Sequence, residues 1–175
     1  MREILRKYPN CEFGRELFPG NPIPILRVSG GKTTADVADW GYLTQKGKRV
    51  YNARSETLLE KPLFGKDFVQ NRCVIPVTGF CEWDGDGTGW DFLPQEEEML
   101  YLAGVCRKKA EGWEATVVTE HASGCVGEIH HRTPLILSGE NLRQWLYDEA
   151  QARQFLEEAK ERVLLKRKKM EGETL

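Results

Sequence analysis

Ile129-His130-His131-Arg132-Thr133-Pro134 puts two of the chain's three histidines beside an arginine, just ahead of the apolar run Leu135-Ile136-Leu137. Histidine is the side chain whose ordinary pKa lies nearest neutrality, so it is the first candidate for moving protons at physiological pH. Arginine holds phosphates and carboxylates through paired hydrogen bonds. A strand with this cluster at its mouth suits acid–base work on an anionic substrate.

Matching groups lie elsewhere in the chain. Asn52 offers a donor and an acceptor, Glu82 a carboxylate and His130 an imidazole. Together they can orient an amine, transfer protons and bind a sugar hydroxyl. Arg54 and Arg132 can clamp phosphates on either side. Trp40 has a flat face for an unstacked base, a sequence-tolerant contact suited to single strands. Each has a structural alternative: Asn52 as a turn cap, Glu82 in an ion pair with an arginine, Trp40 and Trp83 as core residues, and His131 as a mere neighbour of His130.

The elements that must hold these groups are short. Phe18-Pro19-Gly20-Asn21-Pro22 reads as a turn. Ile23 to Val28 reads as an edge strand, because Pro24 cannot donate to a ladder. Asp36 to Leu43 returns as a second strand, and Gln45 to Arg49 is a solvated loop. Ser55 caps a short helix starting at Glu56, and Lys61 to Gln70 forms another with Pro62 in its first turn. Strands are expected over Arg72 to Val77, Gly79 to Trp83, Leu100 to Val105, Trp113 to Thr119 and Leu135 to Leu137. The loop Asp84 to Gly89 lacks the glutamate that closes a calcium loop and is read as a hairpin connection. Gly139 to Leu146 and Glu149 to Lys160 read as helices, with Trp145 and Phe155 as core anchors. Val163 to Leu165 fits either a closing strand or more helix, and Lys166 to Lys169 a solvated tail, with a basic end that adds non-specific affinity for nucleic acid as the alternative. The pattern predicts an α+β fold: a mainly antiparallel sheet, curled or barrel-like, with flanking helices.

The 175 residues (20.0 kDa) suffice for one domain with a substantial core. No stretch approaches the roughly 20 consecutive apolar residues of a membrane-spanning helix, and the charged start Met1 to Lys7 lacks a secretory signal's apolar run. A cytoplasmic protein without membrane contact is expected. A net charge of −2 argues against a broadly basic coat but leaves room for a local basic cleft. The five cysteines, Cys11, Cys73, Cys81, Cys106 and Cys125, show no zinc-knuckle spacing and are read as reduced thiols, mostly buried. No metal or other cofactor is expected. A site built from Cys125, His121, His130 and His131 is the lesser alternative.

Four segments read together are more specific than any one: Trp40-Gly41-Tyr42-Leu43, Asn52-Ala53-Arg54-Ser55-Glu56-Thr57, Arg72 to Trp83, and the His-Arg cluster. Their order and approximate spacing resemble the SOS response-associated peptidase family, whose members process abasic sites in single-stranded DNA. The Phe18 to Pro24 turn and the strand Thr116-Val117-Val118-Thr119 extend the resemblance over roughly residues 12 to 158. It implies single-stranded DNA with abasic sites as the partner, and Trp40, Arg54, Thr119 and Arg132 as DNA contacts. It further implies that Asn52 positions the N-terminal residue, that Glu82 assists proton transfer or peptidase-like self-processing, and that His130 acts on the opened sugar.

In that family the nucleophile is an N-terminal cysteine. Its amine attacks the abasic aldehyde, and its thiol then closes a thiazolidine that links protein to DNA. Here position 2 is Arg2. Cys11 and Cys81 are internal, with a thiol but no free α-amine, and cannot close the same ring. Two readings follow: a preceding segment that carries the nucleophile along with the family's first strand, which is favoured, or a divergent member that binds DNA without crosslinking. Outside the crosslinking reading stand a non-catalytic single-stranded DNA-binding module and a cysteine hydrolase using Cys81 or Cys125 with His130.

Overall fold

The computed structural model describes residues 16–96, 98–158 and 164–169. Cys11 and Val163 lie outside the described residues.

In chain order the elements are β1 (Pro22–Ser29), β2 (Lys32–Trp40), β3 (Tyr42–Leu43), β4 (Arg49–Val50), β5 (Asn52–Arg54), a 3-10 turn (Ser55–Thr57), α1 (Gly65–Gln70), β6 (Arg72–Val77), β7 (Phe80–Trp83) and β8 (Gly89–Pro94). There follow β9 (Leu100–Lys108), β10 (Trp113–His121), α2 (Gly124–Gly127), β11 (Arg132–Pro134), β12 (Ile136–Leu137), α3 (Asn141–Tyr147), α4 (Glu149–Glu157) and β13 (Leu164–Lys168). The expected α+β class holds. Strands β10, β2, β1, β6 and β9 pair in that order, and β9 pairs back onto β10, so the sheet closes on itself. Every neighbour in the ring is antiparallel except β10 and β2. A second sheet of three strands, β7, β8 and β13, lies beside it.

Alternation along the ring strands makes two cores. Leu26, Val74, Ala103, Val105 and Val118 face the helices, packing with Leu58, Phe64, Phe68, Trp145 and Phe155. Ile25, Cys73, Ile75, Leu102, Ala115 and Val117 face the other way, where Trp40, Phe80 and Leu164 pack against them. Trp145 is fully buried, sets its ring edge-on to Phe68 and donates its Nε1 hydrogen to Cys73 O at 2.9 Å. Arg72 ties both helical layers to β6, donating from Nε to Trp145 O and from Nη1 to Phe68 O. Those carbonyls lie in the last turns of α3 and α1, where free acceptors and the helix dipole favour a cation.

Four expectations change. β1 is interior to the sheet and not an edge, yet its pairing with β6 covers only Leu26 and Arg27. At Pro24 the strand has β2 alone as neighbour, which is why the missing N–H is tolerated. The helix expected from Lys61 starts only at Gly65; a Cβ on Gly65 would stand 2.7 Å from Leu59 O, so a tight turn precedes the helix and lets Leu58 and Phe64 both reach the core. Ser55 is not a side-chain cap. Lys166 to Lys168 are strand, paired along β8 as part of β13, and not a solvated tail. Among the described residues no helix is long and apolar enough to cross a membrane.

Candidate functional site

Strand β10 organises the site because it changes partners along its length. Its first half pairs with β9 and touches β2, where Ala115 opposes Trp40. Its second half leaves the ring: Val117 to Thr119 pair in parallel with Asn52 to Arg54, and Thr119 to His121 pair with Pro134 to Arg132. Segments far apart in sequence therefore meet around Thr119.

On β5 the burial alternates exposed, buried, exposed, with Ala53 in the core opposite Val118. Asn52 and Arg54 consequently share the outward face. Neither side chain makes a hydrogen bond or ion pair among the described residues. Trp40 is half-buried against the inner core and donates from Nε1 to Tyr51 O at 3.2 Å, next to Asn52. Trp83, read from sequence as core, is instead 49% exposed, because β7 turns it away from the ring.

The acid–base pair stands at the entry to β11, on the other side of β10 from β5. His130 Nδ1 lies 3.0 Å from Arg132 O and 3.5 Å from Glu82 Oε2. The Arg132 N–H also points at Nδ1, at 3.3 Å, so two acceptors and one donor compete for that nitrogen and either tautomer satisfies a partner. Burial pushes the Glu82 carboxyl above its ordinary range, and the charge of His130 opposes that rise. The arginine alternative for Glu82 is not what the structure shows: its ionic partner is His130. His131 tilts against the His130 ring with centroids 4.4 Å apart, so it buttresses that ring.

Arg132 is placed differently from a free phosphate clamp. Its side chain is buried under Glu56, with Nη1 donating to Oε1 at 2.6 Å and Nη2 to Oε2 at 3.0 Å. Nη2 also donates to Thr119 O at 2.6 Å. A phosphate at Arg132 must share or displace Glu56. Arg54 is the cation left open. Glu56 also faces His121 Nε2 at 3.3 Å, and the Arg132 hydrogen bonds hold its carboxyl below the usual range. Sequence reasoning missed this partner. Glu56 belongs to the same motif as Asn52 and Arg54, but nothing local ties it to a residue 76 positions away.

The cysteines stand apart from this chemistry. Cys73 and Cys106 are fully buried. The Cys81 thiol is pushed up to about 12, first by burial and then by its hydrogen bond to Asp91 Oδ1 at 2.9 Å. Cys125 Sγ meets Leu164 O, while His121 and His130 face different carboxylates. Among the described residues no group of three or more His, Cys, Asp or Glu is arranged to hold a metal.

Known proteins resemble this chain in sequence and in fold. Residues 7–171 match the family described as SOS response associated peptidase. The abasic site processing protein YoqW of Bacillus subtilis is 32% identical over 119 residues, covering 63% of this chain and 53% of that protein. The abasic site processing protein HMCES of Gallus gallus is 34% identical over 124 residues, 54% of this chain and 37% of the relative. The chain thus spans about half the length, or less, of these curated relatives. A phage-related protein from Bordetella bronchiseptica shares the fold with a TM-score of 0.74 at 19% identity, over 87% of this chain and 79% of that one. A protein from Bacteroides thetaiotaomicron does so with a TM-score of 0.65 at 24% identity, over 78% and 68%.

Proposed function

The chain belongs to the SOS response associated peptidase family, and from that premise we propose that it processes abasic sites in single-stranded DNA. The observation that carries the reading is the Glu82–His130 pair, 3.5 Å apart, with Asn52 and Arg54 on the outward face of β5, which β10 joins to the strand that follows His130. An opened abasic sugar presents an aldehyde and hydroxyls with a phosphate on each side. Arg54 binds a flanking phosphate, and Arg132 joins it when Glu56 yields. Asn52 orients the sugar or an attacking amine through its amide. His130, held at Nδ1 by the Arg132 backbone and Glu82, relays a proton through its imidazole. Glu82, raised by burial, holds a proton closer to neutrality than an ordinary carboxyl and donates it to the aldehyde oxygen as an attacking amine forms its bond to the carbon, while His130 takes the proton that the amine loses. Trp40 flanks the row and supports an unstacked base.

The test uses a labelled single strand with one uracil-excised site, the same strand intact, and the duplex. Preferential binding of the abasic single strand is expected, with Glu82→Gln and His130→Gln erasing the preference and Arg54→Gln weakening both single strands alike. Equal affinity for abasic and intact strands, unmoved by either substitution, would instead make the domain a binding module without chemistry.

A further inference from the structure

The register of the smaller sheet places a basic strand on the same face as Glu82. Across β7, β8 and β13, Glu82 opposes Trp90 and Trp90 opposes Lys168. The neighbouring row on that face is Phe80, Phe92 and Lys166. Contacts on both faces agree with this register. Phe80 and Phe92 stack with centroids 5.1 Å apart, and Lys166 Nζ sits 5.3 Å from the Trp90 ring. On the opposite face, Cys81 donates to Asp91, and Arg167 bonds the same carboxylate at 3.2 Å.

This face begins in the core, where Phe92 is fully buried, and opens to solvent at the Glu82–Trp90–Lys168 row. Lys166 forms an ion pair with Glu128, two residues before His130, which places β13 against the loop that carries the imidazole. Lys168 is exposed and makes no hydrogen bond or ion pair among the described residues. Its charge acts on Asp84, whose carboxylate already accepts from Trp90 Nε1, Thr88 N and Asp86 N. Two strand spacings, about 10 Å, separate the backbones of Lys168 and Glu82. A lysine side chain spans much of that distance.

We propose that β13 is the second wall of the nucleic-acid groove, with Lys168 contacting a backbone phosphate that flanks the sugar held at Glu82, and Lys166 adding a weaker contact because Glu128 shares its charge. The proposal rests on the reading that single-stranded DNA lies over Glu82. It assigns Arg54 to one flank of the sugar and Lys168 to the other. Arg167, one residue away on the opposite face, supplies a control of equal charge.

The experiment is a salt titration of single-strand binding by fluorescence anisotropy for the wild type, Lys168→Gln, Arg167→Gln and Arg54→Gln, with thermal melts to verify folding. Losing one phosphate contact lowers the slope of log K against log salt by about 0.7, or about fivefold in affinity at 0.1 M salt. Lys168→Gln and Arg54→Gln should each show this loss, and Arg167→Gln should match the wild type. An unchanged slope for Lys168→Gln beside a reduced one for Arg54→Gln would overturn the second wall and leave the DNA reading intact. Equal losses for Lys168→Gln and Arg167→Gln would also overturn it, by showing only a net-charge effect. Absence of single-strand binding by the wild type would instead remove the reading on which the proposal rests.

Discussion

Glu56→Gln isolates the contact that fixes Arg132. The substitution keeps the size of the side chain but removes its charge, and it turns one of two acceptors facing the guanidinium into a donor. An exposed ion pair is worth about 0.2–1 kcal/mol. Removing one partner of a fully buried pair costs about 3–5 kcal/mol. Here the Arg132 side chain is 11% exposed and that of Glu56 37%, so water screens the carboxylate but hardly reaches the guanidinium. The expected cost lies between these limits and nearer the lower, about 1–2 kcal/mol. For a domain of this size that lowers Tm by about 2–8 °C. The sign of the pH dependence follows from the depressed carboxyl of Glu56. Its stabilisation is fully present above the ordinary glutamate pKa, near 4.5, and is lost as pH falls through the lower folded-state value. Thermal unfolding of both proteins between pH 7 and pH 3 should therefore show a gap at neutrality that narrows in acid. A gap below 1 °C at pH 7, or one that widens in acid, would refute the argument.

Two other predictions concern ionisation near the site. Glu82 has the opposite sign: burial raises its folded-state pKa, so its ionised form opposes folding once pH rises through that value. Glu82→Gln should melt at or above the wild-type temperature at pH 7 and lose that advantage in acid, while preference for abasic DNA disappears; a lower Tm at pH 7 would count against this. Cys81, with its thiol pushed up to about 12, should react with iodoacetamide at pH 7.5 far more slowly than a free thiol. Mass spectrometry of the alkylated peptide reads this directly, and labelling of Cys81 as fast as glutathione would restore it as a candidate nucleophile.

The sequence by itself determined those features that depend on neighbours along the chain. Short apolar, β-branched runs mark β6, β9 and β10, and the turn chemistry of Asp84 to Gly89 closes the β7–β8 hairpin. The motif resemblance identified the family, and with it Asn52, Arg54, Glu82 and His130 as residues to examine together. Partnership across long separations was decided only by the tertiary structure. Whether Pro24 lies at an edge depends on how far β6 extends, not on Pro24. The run Lys166 to Lys169 has the composition of a solvated tail, and only an open edge on β8 makes Lys166 to Lys168 a strand whose register puts Lys168 in one row with Trp90 and Glu82. Arg132 was legible as a cation near His130, but its burial under Glu56 arises because β10 pairs with β5 on one side and β11 on the other. Periodicity records which face of an element is apolar. Which charges then meet across two such faces is set by register and packing, and these exist only once the sheet has closed.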